Sequence, residues 1–221
     1  MPDDHASFPA ESLMRWRRVD VPGHEEARIK GSPQGWHLTG ELEVHEQEVG
    51  PGRLRYSIEC DSRWHTRTAA VEGTMGGDSV RFSLTADGEG HWSQDGRSVA
   101  SFTGALDVDL GFTPATNTLP IRRLALSVGA SAVVRSAWLR FPELRLELLE
   151  QVYTRQAATV YRYVADVDGA PFTARLDTDA YGRVLRYEGL WEAQFAMPEV
   201  DMSGWNVSAI AAIKSGKAGE G

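Results

Sequence analysis

The stretch GWHLTGELEVHEQEVGPGRLRYSIEC, residues 35–60, decides the class of fold. Trp36, Leu38, Leu42 and Val44 hold its even positions, and Leu54, Tyr56, Ile58 and Cys60 repeat the pattern on the return. A period of two places each set on one face of a strand. The segment EQEVGPGR between them carries turn residues, so the two halves form an antiparallel hairpin. Gly40 interrupts the first apolar set and is read as a bulge.

Working outward, the same pattern recurs in both directions. Towards the amino terminus, residues 14–19 and 27–29 read as extended segments separated by the turn signal Pro22-Gly23. Towards the carboxyl terminus, strands are expected over 64–71, 80–84, 91–93, 99–110 (broken at Gly104), 121–128, 132–141, 145–153, 160–167, 172–177 and 184–192. No convincing helix precedes residue 195, and residues 207–213 could form one or two helical turns. Short strands at this spacing imply an all-β domain, and an antiparallel meander hides its edges best by closing. The expected fold is a single large antiparallel many-stranded β-barrel or half-closed barrel over residues 12–195, with flexible termini at 1–11 and 196–221. That many strands enclose an interior too wide for wall side chains to fill, so an internal cavity is expected.

One long connection stands apart. Residues 106–124 read LDVDLGFTPATNTLPIRRL. The segment begins as a strand in which Asp107 and Asp109 share a face, and is expected to end in another that carries Arg122 and Arg123 on opposite faces. Between them two prolines fix φ, and threonines with Asn117 offer short polar groups. An inward arginine needs either a carboxylate partner or an anionic ligand, because an unpaired buried charge is very unfavourable. Asn117 and Thr116 could hold the loop's own backbone or offer hydrogen bonds to a sugar or head group.

Aromatic residues form a second constellation. Trp36, Trp64, Trp92, Trp138, Trp191, Tyr56, Tyr161, Tyr163 and Tyr187 fall on expected strands. Trp138 shares a face with Arg140, and Tyr161 with Tyr163. Rings beside arginines on a concave sheet suit an amphiphile, with rings packing acyl chains or sugar faces and arginine taking an anionic head group. Ordinary sheet packing explains the same residues one by one. The candidate ligand-binding set is Asn117, Arg122, Arg123, Trp138, Arg140, Tyr161 and Tyr163.

Catalytic and metal patterns are weaker. Asp107 and Asp109, two apart on one strand, do not flank a substrate from two sides as a glycosidase pair must. Cys60 and His65 could lie close in a hairpin, but a lone cysteine on an apolar face is usually inert. The six histidines show no metal-ligand spacing, and no nucleophile elbow, phosphate-binding loop or dinucleotide fingerprint is present. No cofactor is expected. A formal charge of −8 disfavours nucleic acid and anionic membrane surfaces. The single cysteine excludes an internal disulfide. The polar start and the lack of a long apolar run point to a cytoplasmic protein without a membrane span.

The run DVDLGFTPATNTLPIRRL, residues 107–124, resembles the signature of the bacterial putative glycolipid-binding family. Residues 16–27 (WRRVDVPGHEEA), 56–67 (YSIECDSRWHTR), 137–142 (AWLRFP) and 151–155 (QVYTR) extend the resemblance over about residues 12–192. It implies one β-barrel-like domain, similar to the lipid-carrying half-barrels of bacterial lipoprotein chaperones. It also implies non-catalytic binding of a glycolipid or similar amphiphile. An enzyme acting on a small amphiphilic or sugar-containing substrate is the alternative.

Overall fold

A computed structural model describes residues 7–194; the helical turns expected at 207–213 lie outside the described residues. The amino-terminal half contains β1 (Glu11–Arg18), β2 (Gly23–Ser32), β3 (Gly35–Glu46), β4 (Gly50–Asp61), β5 (Thr66–Met75), β6 (Asp78–Ala86), β7 (Trp92–Gln94) and β8 (Arg97–Ser98). After a 3₁₀ turn at Ala100–Phe102 come β9 (Asp107–Leu110), a second 3₁₀ turn at Ala115–Asn117 and helix α1 (Thr118–Leu124). The remaining strands are β10 (Ser131–Arg140), β11 (Arg145–Ala157), β12 (Val160–Val167), β13 (Ala170–Thr178), β14 (Val184–Tyr187) and β15 (Trp191–Ala193).

All fifteen strands belong to one sheet, in the order 8-7-6-5-4-3-2-1-15-14-13-12-11-10-9. The first and last strands pair at its centre, with Trp16 opposite Ala193 and Arg18 opposite Trp191. The sheet is therefore an up-and-down ring that opens between β8 and β9 rather than between the two termini. Among the described residues it does not close by strand pairing. Instead β9 is fastened to the start of β5 through Thr66, whose N–H donates to the Leu106 carbonyl at 3.0 Å. The Thr66 hydroxyl accepts the Val108 N–H at 3.1 Å. Strands β6 to β8 continue past this seam.

The hairpin of residues 35–60 forms as read, with Leu38 opposite Ile58 and Leu42 opposite Leu54. Gly40 is not a bulge: it pairs in continuous register with Ala27 and Tyr56. A Cβ there would lie 2.4 Å from the Tyr56 ring, so the glycine is where that ring crosses the backbone. Other expectations also change. The strand read over 99–110 is the 3₁₀ turn followed by the short β9, and β9 runs parallel to β10, unlike the rest. The strand read over 184–192 is two strands joined by a turn. Trp64 sits in the turn before β5 with φ at 68°, not on a strand.

The largest correction concerns residues 121–128. No strand forms there; Thr118–Leu124 is a helix, ending at Ala125 in a left-handed conformation. Ten consecutive residues, Phe112 to Ile121, are buried. This segment enters the barrel as a plug, so the interior expected to be hollow is largely filled by the chain's own loop and helix. Pro120 fits because it lies in the first turn, where a helix N–H lacks an intrahelical partner anyway. The Asn117 side chain does not cap α1; it is used elsewhere in the core. Only Thr118–Ile121 of α1 are buried, and a helix of about two turns whose first turn is wholly enclosed shows no helical period in its sequence.

Candidate functional site

The plug leaves space at one mouth of the barrel. A cavity of about 300 Å³ lies between its first half and strands β9 to β15. Its deep wall consists of buried Thr113, Asn117, Leu149, Tyr163, Tyr187 and Trp191, with the half-buried Asp109 facing them. Its outer edge consists of half-exposed Trp138, Phe141, Pro142, Val167, Phe172 and Leu190, together with Arg18 and Glu46. The deep end is thus the more polar and the rim mostly apolar.

Each deep group has a structural origin. The parallel pairing of β9 with β10 sets Asp109 opposite Trp138. Gly111 follows, and a Cβ on it would meet the Trp138 indole nitrogen at 2.9 Å, so the turn needs glycine for the indole to fit. The Asp109 carboxylate accepts hydrogen bonds from the Gln151 amide and, at 3.4 Å, from the Thr116 hydroxyl. Burial pushes its pKa up to about 6, against the pull of those two donors. Asn117 accepts the Tyr153 hydroxyl at 2.8 Å and donates to the Pro114 carbonyl at 3.3 Å. Tyr163 packs edge-on to Tyr153, with centroids 5.3 Å apart, and to Tyr187 at 5.9 Å.

Behind the wall sits a buried carboxyl. Glu25 of β2 reaches the plug, accepting the Tyr56 hydroxyl at 2.5 Å and the Thr113 hydroxyl at 2.6 Å. Its second oxygen is buried with no hydrogen-bond partner among the described residues. Desolvation raises its pKa to about 8, against the two hydroxyl donors, so it is mostly protonated at neutral pH.

Of the seven residues expected to bind, three line the cavity: Asn117, Trp138 and Tyr163. Arg123 does not. It makes a bidentate pair with the fully buried Asp107, at 3.1 and 2.5 Å. Arg122 points away from the cavity, its guanidinium 5.7 Å from the Phe8 ring centre and 5.8 Å from that of Trp64. Arg140 stacks on Trp138 at 5.5 Å and pairs with Asp168 at 2.7 Å. Tyr161 shares a face with Tyr163 as expected but packs deeper along β12, under the Arg155 guanidinium. The two arginines of the motif therefore do face different ways, but on a helix. Phe141, Phe172, Leu190, Arg18 and Glu46 were missed, because no local pattern shows which strand ends meet at one mouth.

Two other places gather aromatic or charged side chains. At the opposite mouth, Trp36 stacks on Trp64 at 4.5 Å and Phe8 packs edge-on to both. That cluster is filled by the chain itself. A wider groove of about 660 Å³ runs over the outside of β1 to β4. It is lined by cross-strand ion pairs such as Glu41–Arg55 and Glu43–Arg53, which makes it an exposed charged surface rather than an enclosed site. Cys60 is buried and desolvation pushes its thiol upward, the opposite of what a nucleophile needs. Among the described residues no cluster of His, Cys, Asp and Glu is placed to hold a metal ion. Among them, too, no helix is long and apolar enough to cross a membrane.

Comparison with known proteins bears on this site. The family model described as putative glycolipid-binding matches residues 13–193. A crystal structure of a DUF1089 family protein from Pseudomonas aeruginosa is 32% identical, with a TM-score of 0.69, covering 80% of this chain and 94% of that one. A β-barrel-like protein of domain of unknown function DUF1849 from Brucella abortus is 8% identical, with a TM-score of 0.48, covering 84% and 94%. No curated protein matches the chain.

Proposed function

This chain belongs to the putative glycolipid-binding family, and on that premise we propose that it is a non-catalytic binder of a glycolipid or similar amphiphile, held in the cavity beside the plug. The observation that carries the reading is the cavity itself: about 300 Å³, rimmed by aromatic and aliphatic side chains and ending on Asp109 and Asn117. Pockets for small ligands combine such an apolar lining with a few polar groups that set orientation. An enzyme would need a second acid or base converging with Asp109. Asp107 is held by Arg123, and Glu46 is held by Arg18 at 2.7 Å. Binding is therefore the better-supported function.

The test is direct. Freshly purified protein should carry, or take up, one amphiphile per chain by native mass spectrometry. Phe172→Asp, which puts a charge on the apolar rim without touching the plug, should abolish uptake while the melting temperature stays close to the parent's. Failure of the parent protein to retain any glycolipid, fatty acid or alkyl glycoside would sink the reading.

A further inference from the structure

The cavity is built the opposite way round from a pocket for a hydrocarbon tail. A tail pocket is apolar at its closed end and polar at its mouth. Here the half-exposed rim is formed by Trp138, Phe141, Pro142, Val167, Phe172 and Leu190, with Arg18 and Glu46 paired to each other beside them, while the deep end carries Asp109, Asn117 and the mutually hydrogen-bonded Tyr163 and Tyr187. A methyl terminus pushed against those groups would strip them of solvent and return no hydrogen bond. Sugar hydroxyls would return them.

The hydrogen-bond inventory narrows the ligand further. Two donors, from Gln151 and Thr116, occupy the Asp109 carboxylate, which has about four acceptor positions. The Asn117 amide donates one N–H to Pro114 and has a second. A carboxylate acceptor beside an amide donor matches adjacent hydroxyls on a sugar ring. A cavity of about 300 Å³ is at the small end for ligand pockets, enough for one ring and too little for a whole glycolipid. The charges exclude an anionic head group. Arg18, the cation on the lining, is already bound by Asp20 at 2.9 Å and Glu46 at 2.7 Å. That leaves the Asp109 carboxylate to repel a phosphate or a carboxylate ligand.

We propose that the cavity takes its amphiphile head first: a neutral sugar ring seated on Asp109 and Asn117, with the hydrocarbon leaving across the apolar rim. This rests on the amphiphile-binding reading and adds the head-group class and the orientation.

The experiment measures affinity by calorimetry, below micelle formation, for methyl, hexyl and octyl glycosides of glucose, galactose and mannose, and for octyl phosphate. At least one octyl glycoside is expected to bind and octyl phosphate is not. Each added methylene should raise affinity less than twofold, against about fourfold for a chain fully buried in a closed pocket. Asp109→Asn, which keeps an acceptor towards Gln151, should weaken the glycosides about tenfold or more, the loss of a charged hydrogen-bond partner. Trp138→Ala should flatten the chain-length dependence and leave the Asp109 effect intact. A steep chain-length dependence with no effect of Asp109→Asn, or octyl phosphate binding more tightly than the glycosides, overturns the head-first orientation and leaves amphiphile binding standing. If none of these probes binds, and fatty acids and glycolipids also fail, both readings fall.

Discussion

Arg122 and Arg123 are neighbours in sequence with unlike surroundings, and the difference should be measurable. Arg123 neutralises Asp107, whose side chain is 1% exposed against 14% for the arginine. Arg123→Ala strands that carboxylate and should lower unfolding free energy by roughly 3–5 kcal/mol in urea titrations. Arg122 lies against the Phe8 and Trp64 rings instead. A loss below about 1 kcal/mol for Arg123→Ala would contradict the burial of the Asp107 pair. Glu25 makes a different residue-scale statement. Its carboxyl is uncharged in the fold at neutral pH, so Glu25→Gln keeps the acceptor for Tyr56 and Thr113 and removes the proton that high pH would take. The variant should match the parent at pH 5 and be the more stable of the two at pH 8. A variant less stable than the parent at both pH values would show that the glutamate's role is other than this.

At the scale of elements, the plug and the seam decide the architecture. Strand β9 belongs to the sheet through its parallel pairing with β10, and it is hydrogen-bonded to β5 through Thr66. Thr66→Val keeps the shape of the side chain and removes the acceptor for the Val108 N–H. Leaving that buried donor unsatisfied should cost about 1–3 kcal/mol. Hydrogen exchange should report it locally, with the Val108 amide losing protection while amides in the β3–β4 hairpin keep theirs. Uniform loss across the sheet would mean that the seam is not a separate element. The plug also explains why residues 112–121 contain no flexible charged tip: all ten are buried, and the Thr113 hydroxyl and the Asn117 Oδ1 are held by Glu25 and Tyr153.

For the whole molecule, burial of carboxyls gives stability an unusual dependence on pH. The Glu25 pKa rises from 4.5 in the unfolded chain to about 8 in the fold, and that of Asp109 from 3.8 to about 6. A raised folded pKa means that the fold holds its proton after the unfolded chain has lost it. The stabilisation is fully present below the unfolded value and is lost as pH climbs through the folded one, by up to about 1.4 kcal/mol per pH unit per group. Surface carboxylates such as Asp87, held down to about 2 chiefly by the Glu89 backbone N–H and also by His91, act in the opposite sense at lower pH and are largely screened. The urea midpoint should therefore be highest near pH 4–5 and fall steadily towards pH 8. A midpoint that rises over that interval would show that Glu25 and Asp109 are ionised in the fold.

The all-β class, the hairpin at residues 35–60 and most strand positions were legible in the sequence. Half-buried strands in a twisted sheet write a period of two into the chain, and a period is local information. The family resemblance was legible too, because the motif at 107–124 is long and specific. The sequence could not show that this motif is a helix-bearing plug. A segment buried on every side has no amphipathic period, so Leu119 and Ile121 read as a strand as readily as a helix. Nor could it show which residues share the cavity. Asp109, Phe172 and Leu190 come from distant strands and turns, and meet only because the up-and-down ring brings those strand ends to one mouth. Local periodicity determined the wall of this protein. The closing of that wall around its own signature segment, a tertiary event, decided what space remained and which side chains face it.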